Sequence, residues 1–233
     1  MKHIRLIEDW FLNRRCRSCG IPLVLRPGHV GLVCSACRES LSVEFLSGQL
    51  CTLCGSPLPG GVDVCRHCTE TTPAYTNHRS AFLYQGRVAT LIVDFKGRGY
   101  KQLAAYFAES LAAIVPDCDL LVPVPFRPES VRRRPFDPVT LIVRELSTVQ
   151  GLPQVPLLRR RPGKSQKSLN RAARLTNLKN ALYIRPGMHA SVSGARICLI
   201  DDVFTTGATV DECARVLRHS GASRVYARTV AMD

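Results

Sequence analysis

The sequence predicts a two-part α/β protein, with a small module of metal-binding cysteine knuckles followed by a mostly parallel sheet covered by helices on both faces. Three observations predict it. Eight of the eleven cysteines form four Cys-x-x-Cys pairs, all before residue 69. After Pro73, strand-like and helix-like apolar periods alternate, the pattern of a parallel sheet with crossover helices. One apolar strand pattern ends in two adjacent acids and a small, hydroxyl-rich loop that leads into a helix. The expected division is 1–75 for the cysteine module and 76–233 for the α/β domain.

The four pairs are Cys16/Cys19, Cys34/Cys37, Cys51/Cys54 and Cys65/Cys68, separated by 14, 13 and 10 residues. Two thiolates two residues apart on a tight turn can both face one ion at about 2.3 Å, and a second such turn completes a tetrahedron. Eight ligands predict two structural zinc ions. Either successive pairs share an ion, or pairs one and three interleave with two and four; spacing allows both. Gly20 and Gly55 directly follow the second cysteine of their pairs, where the knuckle favours a residue without a Cβ. Ile21 to Leu25 and Gly31 to Val33 have the length of short ribbon strands. Metal should supply most of the module's stability, because a segment this small buries little apolar surface and structural zinc contributes on the order of 10 kcal/mol or more. His67 reads as solvent-facing, and Cys198 and Cys213 as small core residues.

In the second part, strands are expected at Ser80–Tyr84, Asp119–Val124, near Val155–Leu158, Arg196–Ile200 and Arg224–Ala231. Helices are expected at Val88–Phe95, Leu103–Val115, Pro138–Val149 and Thr209–His219, the last ended by Gly221. Ligands of such sheets bind beyond the carboxyl ends of the strands.

The run Ile197-Cys198-Leu199-Ile200-Asp201-Asp202-Val203-Phe204-Thr205-Thr206-Gly207-Ala208-Thr209 is the most specific feature of the domain. Loop amides, the free N–H groups of the helix start and the hydroxyls of Thr205, Thr206 and Thr209 can surround a phosphate that the helix dipole also favours. Gly207 lets the backbone approach closely, and Ala208 follows it in the loop. Asp201 and Asp202, as acceptors, suit the two hydroxyls of a ribose whose 5-phosphate sits in the loop. The bland reading is an ordinary strand-to-helix turn with Thr209 as the cap; two vicinal acids at a buried strand end would then be costly and idle.

Composition bounds the function. A chain of 233 residues with 45% apolar content is not a mostly disordered one, and it has no run of about 18 uncharged apolar residues to span a membrane. Met1 to Leu12 lacks the apolar stretch of a secretory signal, so the expected location is the cytoplasm. The formal charge is +14, and 14 basic residues against three acidic ones between Arg127 and Arg185 carry most of it. Such a concentration suits phosphate, pyrophosphate or nucleic acid; a merely solvated basic face is the alternative. Aromatic residues make up only 6%, so single strands would be held through phosphates more than by stacking.

The run at Asp201 to Thr209 resembles the phosphoribosyl pyrophosphate motif of type I phosphoribosyltransferases. The whole chain resembles the ComF/GntX family, bacterial proteins linked to competence and DNA uptake. Besides the cysteines, the likeness rests on Asp94-Phe95-Lys96-Gly97-Arg98, Leu121-Val122-Pro123-Val124-Pro125, Arg127 with Arg132-Arg133-Arg134, and Gln166, Leu169, Arg174 and Asn177-Leu178-Lys179-Asn180. Where the family has Gly-Phe-Asn-Gln, this chain has Pro135-Phe136-Asp137-Pro138. The resemblance implies a type I phosphoribosyltransferase-like domain that binds phosphoribosyl pyrophosphate, with Mg²⁺, or a nucleotide. It further implies handling of single-stranded DNA during uptake, beside an ATP-driven helicase-like partner. Residues 205–209 would hold the 5-phosphate, Asp201 and Asp202 the ribose. Pyrophosphate or DNA would fall to some of Arg127, Arg132, Arg133, Arg134, Lys164, Lys167 and Arg171, with 159–179 as a mobile cover. No residue pattern marks an acceptor pocket or a general base, so ligand binding is the first reading and phosphoribosyl transfer to an unidentified acceptor the alternative.

Overall fold

The computed structural model describes residues 14–23, 28, 30–42, 48–126, 136–161 and 181–233. The two cysteine lobes are built alike. In each, the first knuckle closes on a single antiparallel bridge, Arg15 to Pro22 and Leu50 to Pro57, and the second knuckle opens a helix, α1 (Ser35–Ser42) or α2 (Arg66–Glu70). The short strands expected at 21–25 and 31–33 are reduced to isolated bridges, Arg15 to Pro22 and Val30 to Val33; residues 24 and 25 lie outside the described ones. Turns this tight leave no room for a ladder. Gly20 and Gly55 have φ of 78° and 72°, as the knuckles require.

The α/β part follows in the expected order, with one strand, β4, that was not expected: β1 (Asn77–Leu83), α3 (Gly86–Gly97), α4 (Leu103–Ala112), β2 (Leu120–Pro123), α5 (Pro138–Gln150), β3 (Leu158–Arg160), β4 (Leu182–Ile184), β5 (Arg196–Phe204), α6 (Ala208–His219) and β6 (Arg224–Met232). Four strands form a parallel sheet in the order β1-β6-β5-β2. A short antiparallel pair, β3 with β4, stands apart from it. β6 is buried at every position after Arg224 because it is central, flanked by β1 and β5 and covered on both faces.

Each face of the sheet shares its core with one cysteine lobe. Cys16, Cys34 and Cys37 pack in one cluster with Phe82, Phe95, Phe107 and Leu146, against α3, α4 and α5. Cys51, Cys54 and Cys68 pack in the other with Tyr75, Phe204, Cys213 and Leu217, against α6. Neither lobe therefore depends on its own apolar surface alone. Phe95 anchors the first cluster, with its ring 5.4 Å from Phe107 and 5.5 Å from Phe136. Phe95→Ala would cost about 3–5 kcal/mol, the usual range for a buried phenylalanine.

The segment from Phe136 to Pro138 starts a helix. Asp137 caps α5, accepting from the amides of Val139 and Thr140 and from the Thr140 hydroxyl, and Pro138 occupies the first turn. Phe136 packs onto Phe95, with Lys101 5.3 Å above its ring. Gly151, with φ 66°, ends the helix.

Candidate functional site

The metal sites come first because their ligands are grouped sequentially. Cys16, Cys19, Cys34 and Cys37 form one cluster and Cys51, Cys54, Cys65 and Cys68 the other, with the sulfurs of each within 4.8 Å of one another. The separations Cys19 to Cys34, 3.8 Å, and Cys54 to Cys65, 3.6 Å, match the edge of about 3.8 Å that four 2.3 Å Zn–S bonds define. Donor set and spacing fit zinc, and no interleaved grouping remains. The second knuckle of each lobe turns an amide onto the first cysteine, Cys34 N–H to Cys16 Sγ and Cys65 N–H to Cys51 Sγ, both 3.4 Å. Against burial, which raises a thiol, such amides bring Cys16 down to about 7 and Cys51 to about 6; burial pushes Cys37 up to about 12. One sulfur per lobe is thus poised as thiolate, and metal must displace protons from others. His67 is exposed and outside the cluster, and Cys198 and Cys213 are fully buried in the core, as expected.

The second site lies at the carboxyl end of β5. The strand was expected to stop at Ile200, but it runs on to Phe204, because Asp201 and Val203 stay in register with Thr229 and Ala231 of β6. The two acids therefore lie inside a strand and turn apart, as successive strand residues do. Asp202 goes toward α3, where its Oδ1 is 2.8 Å from Lys96 Nζ. Asp201 goes toward the loop and lines, with Val203 and residues 204–210, a concave surface of about 240 Å³ open to solvent. Burial, and next the Asp202 charge, push Asp201 up to about 8, against the pull of the Asp202 amide and Lys96; Asp137 adds to the rise. Its surroundings favour the protonated form of this carboxyl.

The loop presents the amides of a helix start. Gly207 sits in the left-handed region at φ 71° and is the residue ahead of α6, so the helix has no side-chain cap. Its first amides, at Ala208, Thr209 and Val210, have no partners within the helix; Ala208 N–H has only a 3.5 Å contact with Thr206 Oγ1. Thr209 is not the cap: α6 begins one residue before it. Thr205 and Thr206 are exposed. Beneath the loop, a Cβ on Gly207 would lie 2.5 Å from the Phe204 ring, so only glycine fits over that floor.

Of the expected site residues, the structure brings together Asp201, Thr205, Thr206, Gly207, Ala208 and Thr209, and places Asp202 behind them with Lys96. Arg127, Arg132, Arg133, Arg134, Lys164, Lys167 and Arg171 lie outside the described residues. Two contributors were not singled out as site residues from sequence. Lys96 belonged to a stretch noted only for family likeness. His78 lies ahead of the strand expected at Ser80–Tyr84 and drew no reading, although with Ser80 it forms a polar pair at inward positions, a signal that could have marked it.

Fold and site together define a class: a protein with two four-cysteine clusters and an α/β half that carries a strand–loop–helix at the carboxyl end of β5. Residues 7–69 match the double zinc ribbon domain family. The DNA utilization protein YhgH of Salmonella typhi is 29% identical over 90% of this chain and 93% of its own length. The competence protein ComFC of Bacillus subtilis is 28% identical over 81% and 79%, and competence protein F of Haemophilus influenzae 26% over 92% and 95%. These relatives are similar to this chain over most of its length. Among solved structures, the glutamine phosphoribosylpyrophosphate amidotransferase of Bacillus subtilis aligns with 56% of this chain and 26% of its own, at 18% identity and a TM-score of 0.41. An adenine phosphoribosyltransferase of Thermoanaerobacter pseudethanolicus aligns with 62% of this chain and 84% of its own, at 16% and 0.37. No helix among the described residues is long and apolar enough to cross a membrane.

Proposed function

We propose that this chain binds phosphoribosyl pyrophosphate or a related nucleotide at the β5–α6 loop and serves DNA handling in natural competence. The observation that carries the ligand assignment is the uncapped start of α6 behind Gly207, with Thr205, Thr206 and Thr209 beside it and Asp201 within the same concave surface. The loop amides and hydroxyls take the sugar's terminal phosphate. Asp201 faces a ribose hydroxyl, and Asp202 holds Lys96 behind it. Carboxylate oxygen at the edge of the loop suits a hard cation, and Mg²⁺ when bound would neutralise pyrophosphate oxygens. Arg127, Arg132, Arg133, Arg134, Lys164, Lys167 and Arg171 are assigned to pyrophosphate or DNA. The test is calorimetry with phosphoribosyl pyrophosphate and Mg²⁺: wild type should bind, and the double variant Asp201→Asn/Asp202→Asn should bind at least tenfold more weakly. Unaltered binding by the variant would remove the acids from the assignment.

The competence role is supported by the names of the relatives and by the basic excess between Arg127 and Arg185. In this role the protein meets single-stranded DNA in the cytoplasm beside an ATP-driven helicase-like partner. Binding should be dominated by phosphates, so affinity should fall with salt at a slope of roughly −0.7 per phosphate contacted. A flat salt response in retardation assays would defeat it. The second reading, phosphoribosyl transfer to an acceptor, is favoured by the same loop, and release of pyrophosphate on addition of candidate acceptors would detect it.

A further inference from the structure

Beneath the phosphate loop runs a line of buried contacts that the reading above does not use. The floor of the loop is the Phe204 ring, pressed against Gly207 so closely that an added Cβ would sit 2.5 Å from it. Phe204 stacks on the His78 imidazole, with centroids 3.8 Å apart and planes 17° from parallel. His78 is fully buried. Its Nδ1 lies 2.7 Å from the carbonyl oxygen of Cys54, a group that can only accept, so Nδ1 carries the proton and donates it. That leaves Nε2 as the acceptor, 2.9 Å from the Thr229 hydroxyl. Both ring nitrogens are satisfied, which fixes the plane of the imidazole and hence of the phenyl ring above it. Cys54 is a ligand of the second metal cluster, and Gly55 beside it approaches the His78 carbonyl so closely that a Cβ would lie 2.8 Å away. Knuckle, imidazole, phenyl ring and loop are therefore packed in series with no slack between them.

We propose that His78 and Phe204 are positioning residues through which the second cysteine cluster sets the height of the Gly207 loop, so that the metal geometry at Cys51, Cys54, Cys65 and Cys68 and the binding of a sugar phosphate at Thr205–Thr209 are coupled. This rests on the reading of the loop as a phosphate site. The first cluster provides an internal control. Its Arg17 leads through Asp94 to α3, whose Lys96 faces Asp202 on the other side of β5, away from the loop floor.

Coupling of this kind is reciprocal, so the ligand must perturb the metal as much as the metal perturbs the ligand. The experiment uses the full chain loaded with ¹¹³Cd in place of zinc, its two resonances assigned by Cys19→Ser and Cys65→Ser, and ribose 5-phosphate as the probe. Saturating probe should move the resonance of the second cluster and leave the first in place. His78→Phe keeps a ring on Phe204 but loses the donor to Cys54; it should keep both resonances, lose the probe-induced shift and bind the probe about tenfold more weakly. Phe204→Leu should do the same. If wild type binds the probe while the second resonance stays still, or if both variants bind like wild type, the coupling is wrong and the phosphate loop survives. If wild type does not bind the probe at all, both fall together.

Discussion

The two cysteine lobes share ligand spacing, knuckle turns and the amide-to-sulfur contact, yet they are fastened to the sheet by different chemistry. Lobe one is tethered by charge. Arg17, between Cys16 and Cys19, donates through Nε to Asp94 Oδ2 at 2.7 Å, and Arg98 reaches Oδ1 at 2.7 Å, around a carboxylate that is only 1% exposed. The Arg17 guanidinium also lies 4.1 Å over the Tyr100 ring. Lobe two is tethered by hydrogen bonds to carbonyls: His78 takes Cys54, and Arg79 Nη1 takes Cys51 and Thr52 at 3.1 and 3.2 Å. The linker after it donates the Ala74 amide to Asp211 in the first turn of α6, at 2.6 Å. One motif can thus be docked either by an ion-pair cluster or by hydrogen bonds to backbone groups. The choice decides which part of the proposed ligand site each lobe borders: Lys96 for the first, the loop floor for the second.

The comparison can be broken most forcefully at the metals. Cys16→Ser and Cys51→Ser should each reduce zinc to one per chain and destabilise the protein by about 5 kcal/mol or more, read from denaturant unfolding with metal analysis. Equal zinc content in either variant would contradict the ligand sets. Next comes Asp94→Ala, which frees two arginines; it should cost about 2–4 kcal/mol, toward the lower end of broken buried pairs because Arg17 and Arg98 both reach solvent. Arg79→Ala in lobe two should cost only about 1 kcal/mol, as expected for bonds to carbonyls. Similar losses for the two would erase the distinction.

Smaller effects test the site between the lobes. Asp201 is raised to about 8 in the fold, so the stability linked to its proton is present below about pH 4 and is lost as pH rises through 8. Asp201→Asn removes that loss. It should raise stability by about 1–3 kcal/mol at pH 8–9 and change little at pH 4, checked by thermal melts across pH; no pH dependence would place the carboxyl in water. A gain from deleting an acid is the mark of a group kept for ligand rather than for folding. Smallest of all, Asp137→Asn keeps an equally good cap for α5 but takes one negative charge from Asp201, so the Asp201 titration, followed by NMR, should move down by less than one unit.

The knuckles, the alternation of strands and helices and the loop from Thr205 to Thr209 were legible because each depends on local spacing. What was not legible depends on partners far along the chain. β5 outruns its apolar core because β6 continues beside it, and that alone turns Asp201 and Asp202 to opposite sides. Lys96 reaches Asp202 only because α3 packs against that face. Pro135-Phe136-Asp137-Pro138 stood out only as a departure from the family pattern; that Phe136 to Pro138 make a helix start packed onto Phe95 depends on the path of the chain after the turn.

The position of β6 has a consequence for assembly. It is threaded between β1 and β5, pairing His78 with Ala227 and Phe204 with Met232, so the histidine under the loop meets Thr229 only once a strand some 150 residues downstream has docked. Closing so long a segment before any reward is the slow kind of nucleation. The lobes can gather metal early, but the cradle they flank should mature last. In pulse-labelled exchange during refolding, the amides of β1 should gain protection together with those of β6, and not before.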